Sequence, residues 1–375
     1  MNILFYLTRY PGVGGIENVT NMIATKLLEN NQVSILSHVQ QKDIDRLQGV
    51  TTYYMPNTNR WETTQNFEFA DMLFATNKFD VVIYQDSYAS TEHIVCSMTK
   101  KYNIPLYVFE HNSPLFIYNK RELDSICTIK GLLRRLLHPY LLYKEVRRKR
   151  YLFENSTRYV LLSKRFVPEF CKLIGANRND SRITYINNPI MSNEVPSELQ
   201  KENIILCVCR LTREKCVNKM LMMWKRISSE LPNWKFIIVG DGPERPKLEH
   251  YVKKSLVQRV EFIGFAEPTK YYQKAKIFWM TSKYEGWGLT LIEAMQQGCV
   301  PVAYQTFSSI FDIIDNGNNG FLIRPEDMDT FKFKSVLLAK NESLRIEMSC
   351  SAVRKTDKFS IDKIINKWNK LLDYA

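Results

Sequence analysis

Short apolar runs alternate with amphipathic stretches along the whole chain. In the first half the spacing predicts strands at Asn2–Leu7, Gln32–Ser37, Val81–Gln85, Leu106–Glu110 and Tyr159–Ser163. In the second half it predicts strands at Ile204–Arg210, Lys235–Gly240, Val260–Phe265, Ile277–Thr281 and Val300–Tyr304. Helical stretches separate most of them. In Ile16–Glu29, Ile16, Val19, Met22, Ile23 and Leu27 fall on one face, and Ile361–Leu372 is equally amphipathic. Strands that are apolar throughout, alternating with helices, imply parallel sheets covered on both sides, an α/β architecture of doubly wound domains. The pattern breaks at Asn187-Asn188-Pro189 and a polar run, Ser192–Asn203, follows. We therefore expect one Rossmann-like domain over residues 1–188, a second over 189–357, and a terminal helix over 358–375. Ligands of such sheets bind where strand carboxyl ends enter loops and helices. Two sheets opposed in this way would enclose a deep cleft.

Composition narrows the class. The chain has 375 residues, enough for two substantial cores, and at 45% hydrophobic and 24% charged it reads as an ordinary globular protein. No apolar run approaches the ~20 residues of a membrane span, and Met1–Arg9 reads as a first strand, not as a leader. The eight cysteines are scattered, which suits reduced thiols and a cytoplasmic setting. The 52 Lys and Arg against 39 Asp and Glu leave a charge of +13, favouring anionic partners. Much of the excess lies in residues 130–150, where Lys130, Arg134, Arg135, Lys144, Arg147, Arg148, Lys149 and Arg150 face a single acid, Glu145. Leu132, Leu133, Leu136, Leu137, Tyr140 and Leu141 recur there at helical spacing, and Pro139 starts, ends or kinks a helix. Either the segment lies on an anionic membrane surface, or it packs its leucines inward beneath a solvated basic face. No nucleic-acid motif accompanies it, so nucleic acid is not expected as a partner.

Several strand ends carry chemistry. Tyr284-Glu285-Gly286-Trp287-Gly288-Leu289-Thr290-Leu291-Ile292-Glu293 follows an apolar run and reads as a glycine loop entering a helix. Eight helical steps at about 100° each would put the two carboxylates on different faces. The glycines instead place Glu285 on the loop and Glu293 in the helix, with loop amides and a helix N-terminus suited to an anionic ligand. Thr290 to Glu293 also fits a capping box, which alone could account for Glu293. Pro11-Gly12-Val13-Gly14-Gly15-Ile16-Glu17 opens the first helix, as a phosphate-binding turn or simply a tight one; it is neither a dinucleotide fingerprint nor a P-loop. Cys209-Arg210-Leu211-Thr212-Arg213-Glu214-Lys215 leaves a strand with cations able to neutralise a diphosphate, or forms a solvated basic loop. Gly240-Asp241-Gly242-Pro243 is a turn with proline at the first helical position. His111 follows the Leu106–Glu110 strand, as a structural or a catalytic residue.

Together these segments resemble the retaining glycosyltransferases of GT-B fold in the "glycosyl transferases group 1" class (family 4). The pair Glu285 and Glu293 resembles the family's E-x7-E signature. The resemblance implies that Glu285 meets the donor sugar, that Glu293 meets the ribose, and that the amides of Gly286, Trp287, Gly288 and Leu289 meet the donor diphosphate. Gly14 and Gly15 resemble the family's G-G-x-E, near diphosphate and acceptor. Arg210 and Lys215 match G-R-L-x-x-x-K-G, whose cations hold the diphosphate, although Cys209 and Cys216 replace its glycines. Gly240 resembles a loop beside the nucleotide, and Gly264 with Phe265 the segment that reads the base. His111 would reach the donor sugar and phosphate.

The resemblance further implies that the first domain takes the acceptor, the second takes a nucleotide-diphosphate sugar, and the terminal helix crosses back to the first. The expected function is transfer of a sugar to a glycan or lipid-linked saccharide in cell-surface polysaccharide biosynthesis, at the inner face of the membrane. UDP-sugar is the default donor, and no cofactor or metal is expected. Two D-x-D sequences, Asp43-Ile44-Asp45 and Asp327-Met328-Asp329, end no strand at the expected cleft. A nucleotide-sugar epimerase of the same architecture and a non-catalytic nucleotide-sugar sensor are the alternatives.

Overall fold

The computed structural model describes residues 1–12, 14–41, 43–86, 90–120, 129–191 and 201–373, without side-chain detail at 119, 120, 129 and 130. Val13 of the glycine turn, most of the Ser192–Asn203 polar run and the Lys130 side chain thus lie outside the description. The chain divides into one unit of Met1–Met191 with Phe359–Ala375 and another of Ser192–Lys358.

In the first unit β1 (Asn2–Arg9), β2 (Gln32–Val39), β3 (Thr51–Tyr54), β4 (Val81–Tyr84), β5 (Leu106–Glu110), β6 (Arg158–Leu161) and β7 (Ile183–Tyr185) form a sheet ordered β3-β2-β1-β4-β5-β6-β7. Every pairing in it is parallel. In the second unit β8 (Glu202–Val208), β9 (Lys235–Val239), β10 (Val260–Gly264), β11 (Ala275–Met280), β12 (Val300–Tyr304) and β13 (Phe321–Ile323) follow the order β10-β9-β8-β11-β12-β13, again all parallel. These are Rossmann-like sheets, and their central strands are buried through almost their whole length.

Three strands escape the hydrophobic pattern: β3, β7 and β13, of three or four residues each. All three lie at sheet edges. A strand this short, partnered on one side, shows no period long enough to read.

The helix Ile361–Leu372 packs within the first unit: Trp368 stacks on Phe109 with ring centroids 4.3 Å apart, and the Tyr107 hydroxyl donates to the Leu371 carbonyl at 3.2 Å. In the second unit one core joins β8, β9, β11 and β12 to the helix Val217–Ile227 through Trp224, Phe236 and Trp279. No helix among the described residues is long and apolar enough to cross a membrane.

The basic segment forms two helices, Ile129–Leu136 and His138–Glu154, with Pro139 in the first turn of the second. The second helix buries His138, Glu145, Lys149, Leu152 and Phe153. Lys149 and Glu110 form an ion pair without exposed surface, and the Tyr159 hydroxyl donates to Glu110 at 2.9 Å. The leucines do not pack inward: Leu132, Leu133, Leu136, Leu137, Tyr140, Leu141 and Tyr143 are all exposed, Leu136 by 69%.

Candidate active site

In the second unit β9, β8 and β11 are neighbours, so the loops at their carboxyl ends lie side by side. Backbone contacts join the first two loops. Cys209 N–H donates to the Val239 carbonyl at 3.1 Å, Leu211 N–H to Asp241 at 2.9 Å, and Glu244 N–H to Leu211 at 3.0 Å. Gly240 permits this approach: its φ is +127°, and a Cβ there would overlap the Cys209 carbonyl oxygen. Gly240 N–H donates to the Gly264 carbonyl at 2.8 Å, which ties in the end of β10. Phe265, just beyond, is 80% exposed.

The β8 and β11 loops are stitched more tightly. Lys283 N–H donates to the Glu214 carbonyl at 2.7 Å, and the Thr281 hydroxyl donates toward the carbonyls of Lys215 and Cys216 at 3.2 and 3.1 Å. Across this seam Lys215 Nζ meets Glu285 Oε1 at 2.6 Å, each side chain retaining some exposure. Burial works against the Lys215 charge, but the Glu285 carboxylate outweighs it and holds the ammonium above its ordinary pKa. Lys215 ends a short 3-10 turn, Arg213–Lys215, and Cys216 then takes a left-handed conformation with φ 53°. Cysteine thus occupies glycine's backbone geometry here, with a strain of about 1–2 kcal/mol. Arg210 is exposed on the same loop.

Beyond Glu285 the chain passes Gly286 and buried Trp287 to Gly288, which caps the helix Leu289–Gln296 at φ 93°. Ser309 holds the loop by donating to the Gly286 carbonyl at 3.3 Å. Leu291 and Ile292 N–H both donate to the Gly288 carbonyl, at 3.1 and 3.3 Å, and the amides before them have no acceptor inside the helix, so this end suits an anion. Thr290 does not cap the helix; Gly288 does, with no side-chain bond. The capping-box alternative therefore fails. Glu293 is instead reached by the Tyr272 hydroxyl at 3.0 Å, and burial raises its pKa.

The first unit presents its own strand ends. Gly14 precedes the helix Gly15–Leu27, and a Cβ at Gly14 would overlap the Glu17 carboxylate. Leu7, Thr8, Arg9, Ile16, Glu17 and Asp86 line a cavity of about 220 Å³ there. Burial raises the Glu17 pKa, with Arg9 opposing it. His111, at the end of β5, is buried against Gln85 at the end of β4.

Lys215, Glu285, the Arg210 and Gly240 loops, Gly264, and the Gly286–Leu289 turn that leads to Glu293 thus share one unit, while Gly14, Gly15 and His111 belong to the other. Gln85 could have been read from its place at a strand end, as His111 was. Tyr272, in the helix Thr269–Lys274, has no such signal. Of the D-x-D sequences, Asp327 caps a helix by accepting from Thr330 N–H at 3.0 Å. Among the described residues there is no group of three or more His, Cys, Asp or Glu able to hold a metal.

Residues 192–354 match the family model described as "Glycosyl transferases group 1". Over 373 residues, 96% of this chain and 95% of the relative, the chain is 26% identical to the GalNAc-alpha-(1->4)-GalNAc-alpha-(1->3)-diNAcBac-PP-undecaprenol alpha-1,4-N-acetyl-D-galactosaminyltransferase of Campylobacter jejuni. It is 26% identical over 231 residues, 59% of this chain and 47% of the relative, to the poly(ribitol-phosphate) alpha-N-acetylglucosaminyltransferase of Staphylococcus aureus. HepE of Anabaena, solved with UDP and glucose, shares the fold over the full length of both chains, with a TM-score of 0.79 and 15% identity. With the strand-end loops described above, these likenesses make the chain a glycosyltransferase of GT-B fold acting in glycan biosynthesis, whose residues 192–354 resemble the glycosyl transferases group 1 family.

Proposed function

We propose that the chain transfers a sugar from a UDP-sugar, with retention of anomeric configuration and without a bound metal, to a saccharide carried on a membrane lipid. The observation that carries this reading is the Lys215–Glu285 pair, which bridges two strand-end loops directly before a glycine-capped helix N-terminus. As the glycosidic bond breaks, negative charge grows on the diphosphate and positive charge on the anomeric carbon. Lys215, Arg210 and the amides from Gly286 to Leu289 stabilise the leaving group. Glu285 orients the sugar hydroxyls, and Glu293 with Tyr272 holds the ribose. Gly240, Gly264 and Phe265 flank the nucleotide, while Gly14 and Gly15 serve the diphosphate and the acceptor of the first unit. The acceptor hydroxyl attacks on the face the diphosphate leaves, so no protein nucleophile is required. HepE binds UDP and glucose, and the Campylobacter relative acts on a polyprenyl-diphosphate saccharide, which favours these substrate classes.

The outward face of residues 130–150 serves the acceptor's location. Exposed leucines and tyrosines are interleaved there with Arg134, Lys144 and Arg147, while the one acid, Glu145, is turned inward and paired with Arg148. A face with cations and no anions repels a second copy of itself and matches an anionic bilayer on the cytoplasmic side.

The test incubates the purified chain with a panel of nucleotide sugars and membrane lipid extract. The reading expects UDP release that depends on the lipid, with label appearing in a lipid-linked glycan. An isomerised nucleotide sugar formed without acceptor, or tight donor binding with no release, would overturn it.

A further inference from the structure

Neighbouring strands β4 and β5 each deliver a polar residue just past their carboxyl ends, Gln85 and His111. Gln85 has no exposed surface and His111 almost none. The side-chain oxygen Oε1 of Gln85 is in hydrogen-bond contact with His111 Nε2. A carboxamide oxygen only accepts, so Nε2 carries the ring proton. The other ring nitrogen, Nδ1, is buried, and neither it nor the Gln85 amide nitrogen Nε2 has a hydrogen-bond partner among the described residues. With the proton on Nε2, Nδ1 bears a lone pair. A buried acceptor left unpaired calls for a donor, from a ligand or an ordered water.

The charged ring is not the resting form. Burial pushes the His111 pKa down to about 4, against the opposing pull of Glu110. Glu110 is itself engaged by Lys149 and Tyr159, Glu145 lies beyond Lys149, and Asp86, next to Gln85, accepts from the Thr8 hydroxyl.

We propose that Gln85 is a positioning residue that locks His111 as the Nε2–H tautomer, so that Nδ1 accepts a hydrogen bond from a saccharide hydroxyl. A neutral Nδ1 offers nothing to a phosphate oxygen, which itself needs a donor. His111 therefore recognises sugar, not diphosphate. The hydroxyl assignment rests on the glycosyltransferase reading; the tautomer does not.

The test uses the full chain with 15N-labelled histidine, in which the His111 signals among five histidines are identified by their loss in His111→Gln. Long-range 1H–15N correlation at pH 7 is expected to show Nε2 protonated and Nδ1 bare. Gln85→Leu fills a similar volume without an acceptor. It should abolish the tautomer preference and lower kcat about tenfold, with donor KM changed far less. Gln85→Glu keeps the acceptor and adds charge. It should retain Nε2–H while moving the acid limb of kcat upward by a pH unit or more, which a merely structural role would not do. A bare Nε2 in the wild type, or an Nε2–H preference that survives in Gln85→Leu, would overturn the lock. A measured lock in a chain that transfers no sugar from any donor would overturn the hydroxyl assignment and the functional reading together.

Discussion

Glu293, which we propose to hold the ribose, burdens the fold that carries it. Its carboxyl is buried, and burial raises its pKa in the fold. The folded state then holds the proton more tightly than the unfolded chain, so stability declines as pH rises from the ordinary carboxylate range through the folded value. Glu293→Gln removes that burden at pH 7. The ligand-free Tm should rise, at about 2–4 °C per kcal/mol for a domain of this size, while UDP-sugar affinity falls about tenfold with loss of a charge-assisted bond. Calorimetry and titration of the same variant check both. His111 has the opposite sign. Its pKa of about 4 lies below the unfolded value near 6.5, so between those values the unfolded chain takes the proton and the folded one resists. Stability should fall as pH drops from 6.5 toward 4, by at most about 1.4 kcal/mol per unit. Urea denaturation at pH 7 and pH 5 should show the loss, and His111→Gln should lessen it. His111 and Glu285 were legible because each stands where an apolar run ends. Tyr272 was not, because what brings it to Glu293 is the packing of the two helices that flank β11.

Among the elements, strand ends were easier to read than sheet edges. The interior strands announce themselves as apolar runs, whereas β3, β7 and β13 are too short to do so. The glycines at strand ends were legible as turns, but the reason for each came only from close approach. Gly240 is the sharpest case: a Cβ would run into the Cys209 carbonyl, and its φ is one that side chains rarely adopt. Gly240→Ala should destabilise the second unit by about 2–4 kcal/mol and reduce donor binding, read by thermal unfolding with and without UDP. Cys216 marks the converse. Its loop keeps a left-handed turn without the glycine the family pattern has there, so the seam to Thr281 survives the substitution.

For the molecule as a whole, the alternation of strands and helices carried the α/β class and the two-sheet organisation. It could not decide which way the leucines of 130–150 face, because helical spacing is the same for a stripe turned inward and one turned outward. Burial of Lys149 and Glu145 settles the inward face and leaves the leucines outside. Vesicles containing about one-third phosphatidylserine should therefore sediment the chain, and less so at high salt. Replacing Leu132, Leu136 and Tyr140 with serine should weaken that binding at least tenfold, since each buried large side chain contributes about 1.5–3 kcal/mol, while transfer to a water-soluble acceptor analogue stays unchanged. Equal sedimentation of the variant would remove the membrane from the account.

The pairing of Lys215 with Glu285 remains the claim on which the chemistry turns. Its most direct test is single-turnover UDP release by Glu285→Gln beside the wild type, with unfolding curves confirming that both are folded. The account predicts a loss of at least ~100-fold in transfer, the scale expected when an orienting or charge-stabilising group is removed, with UDP still bound. Release at the wild-type rate would contradict it.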